Sequence, residues 1–491
     1  MASHTVLASA KKNEEQSGLG YWMLRVLEEC SRAAAGFDPD PVHDLRVALR
    51  RCRSMADGFI AMDPDPDWKQ MKKAGKRLFS RLGDLRDVQV MEEWVKQLGS
   101  VGDPVAETIL RHLAVREHHL KVDAAQALQE FDRKQWTRWA KTLPRRASRV
   151  RKGSIVFRHL ALERWNQAYD LHRRALRNRS RIAWHALRIG IKRFRYIVEN
   201  FLPEQHHAWQ EDLKHLQDVL GEVHDLDVLW ATALGIAAFP DAESRSRWHT
   251  KILHERSARV AAYRQKMVGK QSLWPVWRSA LPSGREVSSA ALQRLKLWAS
   301  FLDPDFHHSQ EVTRLALQLY QGFSTATQPN GSDGKTRDIL EVAALLHDVG
   351  RSRRSKNHHK SSFRLIRRLA PPLGWTARDL ALAATIARYH RGALPRPGQR
   401  ALVGLSAAER KNALRLAGLL RLADAFDSAH DGQTGQIQVK AENGFFLVRA
   451  EGYSARSRTA ERIASARHLL ETVYRRPILV RPLNSGRNHA A

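Results

Sequence analysis

A short basic pattern occurs twice in this chain, and it limits the possible folds more than any other feature. VHDLRVALRRCR places His43, Arg46, Arg50 and Arg53 at i, i+3, i+7 and i+10; HALRIGIKRFRY places His185, Arg188, Lys192 and Arg195 at the same spacing. On a helix, each set falls on one face. A single charged face is ordinarily a solvated surface, but that does not account for two copies in register. A second shared pattern follows each copy: Leu82-Gly83-Asp84-Leu85-Arg86-Asp87-Val88-Gln89-Val90 answers to Leu220-Gly221-Glu222-Val223-His224-Asp225-Leu226-Asp227-Val228. The offsets are 142 and 138 residues, which marks a diverged internal duplication.

Composition narrows the partner. The 491 residues are 43% hydrophobic and 27% charged, in the range of a globular protein. They carry 82 Lys and Arg against 51 Asp and Glu, a formal charge of +31. Residues 1–284 hold 49 basic and 34 acidic groups, and residues 285–491 hold 33 and 17, so the excess lies in both halves. Such a balance points to a polyanion: nucleic acid, anionic membrane or a phosphate polymer. Cys30 and Cys52 are the two cysteines, so no disulfide framework is expected. The N-terminal stretch has no signal-peptide apolar run, and no transmembrane span is expected, which predicts a cytoplasmic protein.

Apolar residues at three-four spacing run through most of the chain and predict helices. Asp-Pro-Asp-Pro at 38–41 and again at 63–66 reads as turn punctuation before helices. The Pro-, Gly- and Ser-rich stretch Gly269–Glu286 reads as a break, with a domain boundary near 280. β-like alternation comes late, as a hairpin turning at Asn443-Gly444, and a short strand follows in RPILVRP. The fold expected is mainly α: a duplicated antiparallel helical bundle over 15–280, then an α-helical domain over 285–485 with a small late β-hairpin.

Paired basic helices suit a linear polyanion, because Arg and Lys meet phosphate oxygens with charge-assisted hydrogen bonds. Two such helices facing each other would form a groove or pore, extended by Lys76. Single-strand nucleic acid would call for aromatics interleaved with the cations. Only Phe194 and Tyr196 are near, so no specific nucleic acid is expected. The doubled His-x-x-Arg motif with its Leu-Gly partner resembles the CHAD domain, the conserved-histidine α-helical domain. The resemblance implies two helical bundles about a pseudo-twofold, with a basic central channel for inorganic polyphosphate. His43, Arg46, Arg50, Arg51, Arg53 and Lys76 would line one half of it, and His185, Arg188, Lys192, Arg193 and Arg195 the other. His224 and Gln89, where the copies differ, are expected off the cationic face.

The second half contains EVAALLHDVGR, with His347 and Asp348 adjacent. His308 precedes them at the start of an amphipathic helix and Asp424 follows in LLRLADAFD, with His358, His359 and His390 between. Histidine nitrogens and carboxylates in this mixture suit a divalent metal, which would polarise a phosphoryl oxygen and acidify a bound water. The order His, His-Asp, Asp resembles the HD metal-dependent phosphohydrolases. The wider text, HSQEVTRLALQLY, AALLHDVGR, HHKSSFRLI, ARYHRGALP and LLRLADAFDSAH, is similar to the C-terminal HD-like domain of exopolyphosphatases. That resemblance implies His308, His347, Asp348 and Asp424 as metal ligands and His358 and His359 as candidates for a second metal. It makes Asp348 and His390 the candidate catalytic residues and Lys360, Arg388 and Arg391 the candidate phosphate contacts. The metal stays open among Mn²⁺, Mg²⁺, Zn²⁺ and Fe²⁺. Residues 351–400 hold 13 basic groups and one acid, Asp379, and the run Arg351, Arg353, Arg354, Lys356 and Lys360 is expected to draw an anion toward the metal.

The sequence therefore predicts a polyphosphate-binding protein with a metal-dependent phosphohydrolase domain. The alternatives are a non-enzymatic protein that targets or scaffolds polyphosphate granules, and a hydrolase for phosphorylated nucleotides. The oligomeric state is not predicted.

Overall fold

Both basic segments are helices, and they have the same length. The structure, a computed structural model, describes residues 18–327, 334–353, 356–396 and 398–483. Two units can be distinguished, Met1–Ser283 and Gly284–Ala491. In the first, α1 (Leu19–Ala33), α2 (Pro39–Phe59), α3 (Pro66–Leu98), α4 (Pro104–Gln129) and α5 (Arg133–Ala147) make one copy. The other copy is α6 (Ile155–Asn178), α7 (Arg181–Phe201), α8 (Pro203–Gly235), α9 (Ala242–Met267) and α10 (Leu273–Ser279). Helices α2 and α7 have 21 residues each, α3 and α8 have 33, and α4 and α9 have 26. Equivalent helices meet, α2 on α7 and α3 on α8, as expected when a twofold axis passes between the copies.

Local sequence explains where these helices start. Pro39, Pro66 and Pro104 stand in first turns, behind Asp38, Asp65 and Asp103. Proline's missing N–H is no loss there, and an aspartate at the cap can accept an orphan donor, as Asp65 and Asp103 do and Asp38 does not. Asp65 Oδ1 accepts from Asp67 N at 2.9 Å and Asp103 Oδ1 from Val105 N at 3.0 Å. Aromatic packing joins the copies: Phe201 of α7 stacks on Phe157 of α6 at 4.1 Å and meets Phe59 of α2 edge-on at 5.3 Å. The stretch read as a break, 269–286, contains α10. Its Trp274 and Trp277 are buried, and Pro275 falls in the first turn, where it needs no N–H partner.

The second unit has α11 (Arg285–Leu302), α12 (Phe306–Thr327), α13 (Gly334–Leu345), a 3-10 turn (Val349–Ser352), α14 (His358–Arg367), α15 (Ala377–Arg388) and α16 (Ala407–Phe426). Then come β1 (Ile437–Glu442), β2 (Phe445–Ala450), α17 (Arg458–Ala466), α18 (His468–Tyr474) and β3 (Ile478–Pro482). The late hairpin is present, with Ile437 opposite Ala450, Glu442 opposite Phe445, and Gly444 at φ 87°. RPILVRP supplies the expected short strand, β3, which adds parallel to β2. Parallel neighbours need a crossover, and α17 and α18 supply it. No helix among the described residues is long and apolar enough to cross a membrane.

Asp103 ties the copies together. While its Oδ1 caps α4, its buried Oδ2 accepts from Trp248 Nε1 of α9 at 3.0 Å. Asp103→Ala removes a cap worth about 1 kcal/mol and strands a buried indole N–H at about 1–3 kcal/mol. Urea unfolding of the full chain should show a loss of about 2–4 kcal/mol with little change in slope. A variant as stable as wild type would show that the copies do not depend on this bond.

Candidate polyanion face and metal centre

The two basic helices converge on four cations. Lys192, on α7, is pushed down to about 8, first by burial and then by repulsion from Arg188, Arg50 and Arg46. Arg46 and Arg188 are equivalent in the two copies, as are Arg50 and Lys192. Like charges gathered in this way raise each other's energy, and the second repeated motif answers that. Asp87 and Asp225, the aspartates that follow each Leu-Gly, both act on Arg188 and Lys192, and Asp87 acts on Arg46 as well. Desolvation pushes Asp225 up to about 6, and the neighbouring Asp87 carboxylate adds to the shift. The motif's glycine has a use in the first copy, where a Cβ on Gly83 would stand 2.6 Å from Arg46 Nη1. Gly221 has no such neighbour.

Around this focus the sequence expectations divide. Arg46 and Arg53 both lie over the Phe79 ring, at 5.1 and 5.0 Å, and Arg53 Nη1 donates to Lys72 O at 3.2 Å. His43, Lys76 and Arg193 are exposed, and Arg193 lines a cavity of about 260 Å³ with Lys72 and Arg164. Arg51 requires a correction: its Nη2 lies 2.5 Å from Glu199 Oε1, and its guanidinium covers Trp22. Arg195 shares the same carboxylate at 3.7 Å. Helical spacing put Arg195 toward the ligand and the resemblance implied Arg51, but both pair with Glu199, which offsets one of their two charges. His224 also departs from expectation. Its Nδ1 is 3.2 Å from His185 Nδ1, and both rings are held down by burial and by Arg188 and Lys192, so His224 belongs to the face.

In the second unit, six side chains bring donor atoms together. His308, His347 and Asp348 form one group, His347, His390 and Asp424 a second, and Asp348, His358 and His390 a third; within each group the donors lie within 4.8 Å of one another. Backbone carbonyls set the tautomers. His347 Nδ1 donates to Ala344 O and His390 Nδ1 to Ala387 O, both at 2.7 Å, which turns each Nε2 lone pair inward. Burial, followed by the charge of His347, pushes His390 down to about 3 and keeps it neutral. His308 behaves oppositely: burial lowers it, but the hydrogen bonds it donates to Asp424 and Asp427 prevail and hold it at about 9. Burial likewise opposes ionisation of Asp348, yet His347, His358 and His390 keep its carboxyl below the ordinary range.

This donor set fits a divalent cation. His347 Nε2 and Asp348 Oδ1 are buried and lack an aligned hydrogen-bond partner among the described residues. His358 Nε2 is 3.1 Å from that oxygen but off the hydrogen-bond line. Imidazole nitrogens and carboxylate oxygens are suitable ligands for such an ion. His359 is in none of the three groups; its ring faces Gly392. Gly350 allows α14 to approach, since a Cβ there would stand 2.3 Å from His358 O, and its N–H donates to Ser362 Oγ at 2.9 Å. Asp427, absent from the sequence expectations, accepts from His308 Nδ1 at 2.7 Å. Its spacing of three from Asp424 on α16 was the available signal.

A cavity of about 210 Å³ opens on these donors, lined by Arg351, His390, Arg391, Arg421, Asp424, His430 and Arg462 among others. Arg351 Nε meets Asp348 Oδ2 at 2.8 Å. Arg421, three residues before Asp424, and Arg462, from distant α17, were not expected. Arg391 reaches this cavity, but Lys360 and Arg388 line a different one. Arg353 and Lys356 are exposed, and Arg354 lies outside the described residues.

Comparison with known proteins matches residues 23–234 to the CHAD domain and residues 295–453 to the Ppx/GppA phosphatase, domain III. The chain carries a CHAD domain followed by a Ppx/GppA domain III. A crystal structure of the CHAD domain from the plant Ricinus communis is similar at 22% identity and a TM-score of 0.37, covering 54% of this chain and 90% of that one. A bifunctional uridylyltransferase/uridylyl-removing enzyme of Ruegeria pomeroyi is 32% identical over 104 residues, which are 20% of this chain and 11% of that protein. The convergent cations therefore lie in the CHAD domain, and the histidine–aspartate donors lie in domain III.

Lys192 offers a direct readout of the CHAD face. Competitive acetylation across pH, read by mass spectrometry, should give it a midpoint near 8, against about 10.4 for a free lysine. Arg50→Ala removes a repelling charge and should raise that midpoint. An ordinary lysine midpoint in wild type would mean that the four cations do not converge.

Proposed function

We propose that this protein binds inorganic polyphosphate through the CHAD face and hydrolyses phosphate bonds at the donor cluster of domain III. The supporting observation is Lys192, half-buried and repelled by Arg46, Arg50 and Arg188. Four cations drawn from two related helices suit a ligand with a charge on every unit and no bases to stack. On this reading His308, His347, Asp348, His358, His390 and Asp424 hold a divalent metal, so His390 acts as a ligand. The ion would supply Lewis acidity at a phosphoryl oxygen and an acidified water. Arg351, Arg391, Arg421 and Arg462 would bind the phosphoryl group, and Asp427 would orient His308. The Ruegeria pomeroyi relative is named for uridylyl removal as well as transfer, so a nucleotidyl phosphodiester is the second substrate class to assay.

Two variants separate the halves of this reading. Arg50→Glu with Lys192→Glu should weaken long-chain polyphosphate binding by about a hundredfold, and the dependence on salt should become shallower. Asp348→Ala should keep polymer binding while losing both bound metal, measured by elemental analysis, and phosphate release. Wild-type affinity in the double variant would remove the CHAD half of the reading. Protein that takes up none of Mn²⁺, Mg²⁺, Zn²⁺ or Fe²⁺ would remove the other half.

Polymer binding should also depend on pH. As pH falls through about 6, Asp225 loses its negative charge. Lower still, His185 and His224, both held below their ordinary range, gain positive charge. Each change adds net positive charge to the face, so affinity should rise from pH 7.5 to 5 at fixed salt. Lys192, held near 8, also gains charge at the upper end, so Asp225→Asn should bind more tightly at pH 7.5 and lose the part of the slope near pH 6. A flat profile in wild type would contradict the assignment of Asp225 to the face.

A further inference from the structure

Lys360 and Arg388, expected beside the metal, line a separate and larger cavity of about 690 Å³. Its walls carry six cations, Lys360, Arg364, Arg367, Arg368, Arg388 and Arg400, and no acidic residue is among its lining residues. They come from three places: α14 and its end, the last turn of α15, and the segment before α16. Arginines in the last turn of α14 are partly explained by the helix dipole, which favours cations there. The same holds for Arg388 in the last turn of α15, but helix dipoles do not explain why these two helix ends and Arg400 face the same space. Arg388 is half-buried, so its charge is partly withdrawn from water, a setting that a bound anion would relieve.

All of these cations but Arg388 are exposed, and bonded segments beneath hold them in place. Tyr389 is buried, and its hydroxyl donates to Gln399 Oε1 at 2.5 Å, tying α15 to the Arg400 segment. From the other side, Arg421 donates to Tyr389 O at 3.5 Å and Gly392 O at 2.5 Å. Residues 388–391 are thus a partition: Arg388 and Tyr389 face the large cavity, and His390 and Arg391 face the metal-donor cavity. The cavity's two rings already carry cations, Arg367 over Phe363 at 5.7 Å and Arg388 over Tyr389 at 5.3 Å. That favours phosphate over nucleobase, because base stacking needs an open ring face.

We propose that this cavity is a second polyanion site, which holds a linear oligophosphate beside the metal-donor cavity. The choice of oligophosphate rests on the proposed function, but the site does not require hydrolysis. Six cations distributed over this space match several linked phosphoryl groups better than a single one.

The test is phenylglyoxal labelling of arginines in the full chain at low salt, read residue by residue by mass spectrometry. The probes are tripolyphosphate, orthophosphate at equal total phosphorus, and an oligonucleotide of equal charge. Tripolyphosphate should slow labelling of Arg364, Arg367 and Arg400 by about tenfold, with orthophosphate and the oligonucleotide much weaker. Arg364→Glu with Arg367→Glu should abolish protection at Arg400 while leaving protection at Arg46 and Arg50 in the CHAD domain. Protection at Arg46 and Arg50 without any at Arg364, Arg367 and Arg400 would overturn this site and leave the proposed function standing. The reverse result would support this site and count against the CHAD face. Equal protection by the oligonucleotide would overturn the assignment to oligophosphate and make the cavity a nucleic-acid surface.

Discussion

A cation taken out of water loses hydration that a second cation cannot replace. Lys192 shows this in the CHAD domain: burial lowers it first, and Arg188, Arg50 and Arg46 lower it further. The domain tolerates the arrangement because each copy places one aspartate, Asp87 or Asp225, against the cluster. These carboxylates are few enough to leave the face positive. Asp225 itself is desolvated to a value near 6, so its neutralising charge is sensitive to pH. The repeated Leu-Gly-x-x-x-Asp pattern thus has a physical reading. Its aspartate acts on the cations in both copies, and its glycine leaves room for Arg46 in the first.

Domain III solves a related problem with the signs mixed. Asp348 and Asp424 are held ionised by surrounding histidines despite their burial. His347 and His390 are each turned by the carbonyl three residues before them, so the helix end that carries the histidine also orients it. Gly350 then lets the start of α14 come close enough to add His358. The basic groups sit outside this cluster in two cavities that share the 388–391 partition. The described residues therefore show three cationic surfaces, and the donor groups found among them lie at one of the three.

Much of this could be read in the sequence. Duplicated spacing announced the paired helices, and Asp-Pro steps marked where helices begin. The order His308, His347-Asp348, Asp424 located most of the donor cluster, because residues at the ends of helices keep their chemistry whatever the loops between them do. Other expectations failed for identifiable reasons. Arg195 matched the helical register and Arg51 came with the resemblance, but Glu199, from the same helix as Arg195, pairs with both. His224 looked like a departure from the repeat, and it meets His185 only because α8 packs on α7. The Gly269–Glu286 stretch has the composition of a linker, yet two tryptophans pay for a short helix by burying their rings.

The sequence alone determined the helical character, the twofold repetition, the basic excess and the set of residues able to bind phosphate or metal. Each follows from spacing along one chain, where periodicities of 3.6 and 2 are local properties. Tertiary structure decided which candidates share a space. It set Lys360 and Arg388 apart from Arg391, removed His359 from the donor groups, and brought in Asp427, Arg421 and Arg462. Those choices depend on contacts between segments up to a hundred residues or more apart, such as His308 with Asp427. Such contacts are made by packing apolar faces, and the polar groups riding on those faces leave no trace of their partners in local sequence.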